Sequence, residues 1–235
     1  MLRKLLSAVF ILTLSWSFAQ SPYSGSQFSI GPYLKTNGAG ISAEYRLQTK
    51  SNTSHSLSFG LTNLKHMKEA KIRNSLMPNP LPYVYGKAFR ATQLNAAFQL
   101  NRTFGSNIAS PRLSLAVELG PSFAFLRPVQ VYFLELDPHE NPRQTIRSYN
   151  QEVHGQQEFI IGDAGWNRGF SQTTLKLGIH SAIYLQLDSE RDFRTRGIKA
   201  GISLDYYPND LQMLFENENK VFSSLFLVYQ LGTVR

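Results

Sequence analysis

Residues 93–101 read Gln93-Leu94-Asn95-Ala96-Ala97-Phe98-Gln99-Leu100-Asn101. Odd positions carry amides, with Ala97 as the one exception, and even positions are apolar. A period of two sends successive side chains to opposite faces, so this stretch predicts a strand with one polar and one apolar face. A helix over the same residues would scatter the amides around its circumference. Residues 112–125 repeat the pattern. Leu113, Leu115, Val117, Leu119, Phe123 and Phe125 share one face, against Arg112, Ser114, Glu118 and Ser122. Residues 174–187 do the same, with Leu175, Leu177, Ile179, Ile183, Leu185 and Leu187 opposed by Thr174, Lys176, Gly178, His180, Tyr184 and Gln186.

Weaker forms of this alternation bring the count to eight segments, near 27–35, 39–48, 54–66, 85–101, 111–127, 172–187, 194–208 and 221–233. The first is the least regular, because Pro32 interrupts its ladder. The connections fall into two classes. Those near 49–53, 102–110 and 188–193 are short, and those near 67–84, 128–171 and 209–220 are longer; the tight turn at Thr36-Asn37-Gly38 is the exception. Short and long connections alternating around an even number of strands are the habit of outer-membrane barrels, with short turns facing the periplasm. The expected fold is all-β: an eight-stranded antiparallel up-and-down transmembrane β-barrel.

The start of the chain points to the same compartment. Arg3 and Lys4 precede an apolar run from Leu5 to Leu14, and small residues Ser17 and Ala19 precede Gln20. This is the layout of a secretory signal peptide at 1–19, cleaved after Ala19, with the barrel domain at 20–235. No later segment is apolar for long enough to cross a bilayer as a helix. Mean hydropathy is −0.23, as dispersed apolar residues produce. Cysteine is absent, which excludes thiolate zinc sites, thiol nucleophiles and disulfides. Removing Arg3 and Lys4 lowers the formal charge from +8 to about +6. The basic residues do not form a patch interleaved with aromatics, so no nucleic-acid partner is expected. Outer-membrane lipid and lipopolysaccharide are the expected partners, with other envelope proteins reached through the long loops.

Alternation alone does not say which face is inside. In a membrane barrel Glu44, Arg46, Glu118, Lys176, Lys199 and Asp205 point inward and pair, because lipid has no use for them. Eight strands leave an interior just wide enough to be filled by side chains. A soluble lipocalin-like barrel would reverse the faces and hold an apolar ligand.

The runs Leu64-Lys65-His66-Met67-Lys68-Glu69 and Tyr83-Val84-Tyr85-Gly86-Lys87, with Gly120-Pro121 and Leu126-Arg127-Pro128, resemble a family of exported outer-membrane β-barrel proteins of Gram-negative bacteria. The family is similar in architecture to OmpX-like and PorT-like barrels. The resemblance implies a fold and a location without implying a reaction. One departure is the ending Leu231-Gly232-Thr233-Val234-Arg235, where many such barrels carry a terminal aromatic.

Candidate chemistry is sparse. Asp137, His139, Glu140, His154 and Asp163 lie in the 128–171 loop and could collect a divalent cation, but their spacing matches no metal motif. His180 shares the polar face with Lys176 and Tyr184, with Glu118 on the neighbouring strand, and a His–carboxylate pair could serve acid–base chemistry. A nucleophile is lacking, since Ser181 points to the opposite face. Tyr83 to Lys87 reads as an interfacial aromatic girdle with Gly86 at a bend, and Gly165-Trp166 reads similarly. Pro78-Asn79-Pro80 and Pro82 mark a loop, and Gly38-Ala39-Gly40 is too short for a phosphate cradle. No catalytic, cofactor or metal residue is assigned. The expected function is a non-enzymatic barrel that is structural or docks partners. The alternatives are a lipid-modifying enzyme of lipid A deacylase or acyltransferase type and the lipocalin-like binder.

Overall fold

The computed structural model describes residues 26–50, 52–66, 68–77, 79–104, 111–136, 141–191, 194–215 and 217–234. The signal-peptide reading at 1–19 lies outside them. In chain order the strands are β1 (Ser26–Lys35), β2 (Gly38–Lys50), β3 (Thr53–Leu64), β4 (Lys71–Ile72), β5 (Tyr83–Val84), β6 (Phe89–Phe104) and β7 (Arg112–Pro128). They continue as β8 (Gln130–Leu136), β9 (Pro142–Ser148), β10 (Ile160–Asp163), β11 (Thr174–Arg191), β12 (Arg194–Leu214) and β13 (Asn217–Val234).

Eight of these close into one barrel in the order β1-β13-β12-β11-β7-β6-β3-β2. Each pair is antiparallel, and β1 closes the ring against β13 with Leu34 opposite Leu227 and Ile30 opposite Leu231. The β1–β13 ladder skips Gly31 and Pro32, so the missing proline N–H falls where no pairing is made. This is how the least regular segment is still a full barrel strand.

The two faces separate as the alternation requires. Gln93, Asn95, Gln99 and Asn101 of β6 are buried, while Phe98 and Leu100 between them are about half exposed. The same holds around the ring. Glu44, Ser58, Ser122, His180, Lys199, Asp205 and Gln230 are buried inside, and Ile41, Leu57, Phe59, Val117, Leu119, Leu177, Ile183, Ile202, Leu225 and Leu227 face outward. A polar interior wrapped in an apolar exterior is stable only where the exterior meets lipid. The chain is a transmembrane β-barrel of the outer-membrane type. The soluble lipocalin-like alternative is overturned by this inversion, because such a binder would turn its apolar face inward and its polar face to water.

The main departure from the sequence reading is at the end of the barrel with the long connections, called the outer end below. The 128–171 stretch, expected as a loop, folds into a three-stranded sheet of order β10-β8-β9. A one-turn helix at Gln151–His154 follows, with Asn150 Oδ1 accepting from Val153 N–H at its start. The expected connection at 209–220 is also mostly strand. β12 and β13 run on together to Leu214 and Asn217, with irregular register between Tyr206 and Leu211. A bulge there accommodates Pro208 within the strand.

Candidate functional site

The lumen is layered along the barrel axis. Nearest the short-turn end is a charged layer. Glu44 accepts from Arg46 Nε at 3.0 Å, Arg46 Nη1 donates to Asp188 at 2.6 Å, and Lys199 Nζ lies 2.6 Å from Glu44. Gln186 donates to Asp188 at 2.9 Å. Above it lies an aromatic layer of Tyr33, Tyr184 and Phe226, packed edge-on with centroids 5.5 Å apart in both contacts. Space for the rings comes from lumen glycines: a Cβ on Gly201 would sit 2.3 Å from Tyr184 Cβ, and one on Gly178 would meet the Tyr207 ring at 2.5 Å.

The next layer holds the group of most chemical interest. Asp205 Oδ2 accepts from Lys35 Nζ at 2.9 Å, and Asp205 Oδ1 lies 2.5 Å from His180 Nδ1. All three side chains are almost wholly buried. Lys35 also reaches Gln93, and Gln93 and Ser122 are both hydrogen-bonded to the Tyr207 hydroxyl. Glu118 accepts a hydrogen bond from Ser58 and lies 3.9 Å from His180 Nε2. Between them is a cavity of about 30 Å³ lined in part by Tyr33, Asn95, Glu118, His180 and Lys199, with room for water rather than a solute. An apolar plug of Leu64, Ala91, Ala124, Leu126, Tyr207, Leu211, Met213 and Phe222 covers this layer toward the outer end.

The structure thus joins His180 to a carboxylate, but its short partner is Asp205, not Glu118. Glu118 was expected to pair with a lumen cation and instead faces a serine, with a histidine ring at the edge of contact. Lys176 stands apart, near the outer end and only partly buried. Ser181 donates to Leu204 O on the exposed face, as the alternation required. Of the hydroxyls around this group, Ser58 donates to Glu118, and Ser122 is bonded to Asn95 and Tyr207; neither is hydrogen-bonded to His180. Asp205 as the hub was visible in sequence only as one inward charge among six. Its partners depend on the strand register around the closed ring, with His180 directly opposite it.

Above the plug sits the folded cap. Its core is Tyr83, Val129, Val131, Phe133, Tyr149, Val153 and Ile160, with Ile72, Phe159 and Phe215 packed against it. Tyr83 is therefore a core residue and not part of an aromatic girdle. Gly86 does make a bend, with φ +71°, a conformation that suits glycine. Its N–H donates to the Tyr149 hydroxyl at 3.1 Å, and that hydroxyl lies 2.7 Å from His154 Nδ1. Burial pushes the Tyr149 phenol up to about 12. Asn74 Nδ2 donates to the carbonyls of Gln157, Glu158 and Ile160, and Glu69 pairs with Lys87 at 2.7 Å. Of the five residues considered for a cation, Asp137, His139 and Glu140 lie outside the described residues. His154 is engaged by Tyr149 and Tyr85, and Asp163 pairs with Arg90. The two are not brought together, and no metal-binding cluster occurs among the described residues.

No family model and no curated protein matches the chain. Among solved structures it is similar to Ail, the attachment invasion locus protein of Yersinia pestis, crystallised with the heparin analogue sucrose octasulfate. Identity is 12% and the TM-score 0.40, covering 90% of this chain and 99% of that one. It is also similar to Neisserial surface protein A, at 8% identity and a TM-score of 0.38, covering 90% of this chain and 95% of that one.

Proposed function

We propose that this barrel is a sealed, non-enzymatic component of the bacterial outer membrane, and that its working surface is the cap, through which it docks other envelope molecules. The observation that supports it is the contrast between the two ends of the same interior. Among the described residues the lumen is filled by interlocked ion pairs and an apolar plug. The outer connections instead spend their apolar residues on a second, independent core. A loop without a task does not need one. The cap also displays large apolar side chains, Leu76, Leu136 and Trp166 being each more than three-fifths exposed, as contact surfaces do.

Planar-bilayer recording on the purified protein tests the sealed reading. No stable unitary steps are expected at neutral pH; reproducible steps would make it a diffusion channel. Mass spectrometry of lipid A from a deletion strain, compared with a strain overproducing the protein, tests the non-enzymatic reading. Acylation that follows the level of the protein would overturn it and point to the His180 layer.

A further inference from the structure

On β7 the outward face runs Leu119, Pro121, Phe123, Phe125 and then Arg127; on β6 it runs Arg102, Leu100, Phe98, Ala96, Leu94, Thr92 and then Arg90. Arg90 and Arg127 are register partners, so two guanidinium groups stand side by side on the lipid face at the outer rim. Arg102 lies on the same face of β6 twelve positions away, with Phe104 beyond it at the end of the strand. At ~3.3 Å per residue and a tilt of ~40°, twelve positions span about 30 Å of membrane normal, the thickness of the hydrocarbon core. Arg90 and Arg127 therefore lie at the headgroup level.

The segment after β10 folds down onto this pair. Asp163 forms an ion pair with Arg90, and Arg90 Nη1 donates to Gly165 O at 2.7 Å. The Phe170 ring lies 4.2 Å from the Arg127 guanidinium. Gly169, at φ +80°, permits the close approach, because a Cβ there would sit 2.8 Å from Pro128 O. This packing projects Trp166 outward, 74% exposed, and leaves Phe170 59% exposed. Tryptophan and phenylalanine beside arginine at this depth are the chemistry of a membrane interface. Asp163 pairs with Arg90 and its charge also acts on Arg127, one carboxylate set against three guanidinium groups. Arg127 and the exposed Arg168 have no carboxylate partner among the described residues, and Arg127 Nε has no hydrogen-bond partner there. The patch carries an excess of positive charge where the outer leaflet presents its anionic groups.

We infer that Arg127 and Arg168, flanked by Trp166 and Phe170, bind the phosphorylated headgroup of an outer-leaflet lipid. Guanidinium groups recognise phosphate through charge-assisted, often paired hydrogen bonds, and the aromatic side chains hold the segment against the acyl region beside it. The site rests on the membrane orientation of the barrel and is independent of whether the lumen conducts. A conducting barrel would sink the sealed reading and leave this site untouched.

Trp166 is its own reporter, because Trp16 is the only other tryptophan in the chain. A Trp16→Phe version of the full chain, placed in phosphatidylcholine nanodiscs with or without bisphosphorylated lipid A, should show blue-shifted emission. Lipids brominated near the headgroup end of the acyl chain should quench it. Native mass spectrometry should retain lipid A on the protein, with several-fold less retained by Arg127→Gln and by Arg168→Gln. Arg168 is exposed, so its variant should keep the normal gel mobility of the folded barrel. Emission typical of a water-exposed indole, without bromolipid quenching, would overturn the inference. Equal retention of dephosphorylated lipid A, or displacement of lipid A by millimolar inorganic phosphate, would overturn it as well; the second result would identify a free-phosphate site.

Discussion

His180 and Asp205 face each other across the β11–β12 ladder with Nδ1 and Oδ1 2.5 Å apart, and neither side chain has access to solvent. The other carboxylate oxygen of Asp205 holds Lys35 of β1, two strands away across β13. One acid thus ties β1, β11 and β12 together through the interior. In so narrow a lumen the charges are the packing, and removing one leaves its partners with nothing to solvate them.

Asp205→Asn should therefore be the most damaging single change inside the barrel. Loss of one partner of a buried pair costs ~3–5 kcal/mol, and here the orphaned Lys35 is wholly buried. Glu118→Gln should cost no more than ~1–2 kcal/mol, because it alters one hydrogen bond with Ser58 and a contact at 3.9 Å. Denaturant unfolding in detergent micelles, followed by gel mobility, gives the comparison. Equal loss in both variants would show that Asp205 is not the hub.

Gly201→Val should hinder closure of the barrel. The new Cβ would sit 2.2 Å from Ile183 O and 2.3 Å from Tyr184 Cβ, atoms held in place by the β11–β12 ladder. Overpacking of this kind costs ~1–3 kcal/mol or more. Refolding yield into micelles should fall. A Gly201→Val protein that refolds as well as the parent would contradict the close approach of β11 and β12 at this position.

The cap and the barrel should fail separately. Phe133→Ala empties the centre of the cap core, a change that typically costs ~3–5 kcal/mol. Limited proteolysis should then cut within 129–173 while the heat-modifiable gel shift of the barrel persists. If the barrel shift is lost too, the two cores are one cooperative unit.

Acid should loosen one edge of the cap. His66 Nδ1 accepts from Lys68 N–H at 3.2 Å, and burial holds the imidazole below its ordinary value of 6.5. A depressed histidine is neutral when folded, so its contribution is complete above pH 6.5 and is lost as the pH falls below that value. A doubly protonated ring cannot accept the Lys68 hydrogen bond. Hydrogen exchange at Lys68, corrected for intrinsic rate, should be faster at pH 5 than at pH 7.5, and His66→Gln should flatten the difference.

The strands were legible because a period of two survives wherever one face meets lipid and the other a polar lumen. That pressure ends at the membrane surface, and there the reading lost accuracy. Pro208-Asn209-Asp210 has the composition of a turn, yet β12 passes through it on a bulge. Val131 and Phe133 alternate as plainly as Leu94 and Phe98, but they serve a small core of irregular outline inside a stretch whose length and composition are those of a loop. The lumen faces are legible in the alternation. The pairing of Asp205 with Lys35 and His180 is not, because Lys35 lies 170 positions from Asp205 and meets it only through the curvature of the closed ring.

The cap core draws Ile72 and Tyr83 from one connection, Val131, Phe133 and Ile160 from another, and Phe215 from a third. The three segments meet because the wall sets β3, β6, β7, β11, β12 and β13 side by side. The cap is accordingly a mark of assembly: its shape reports that this run of strands has been paired. An antibody fragment raised against that shape would count molecules whose wall has reached that stage and pass over those that have not.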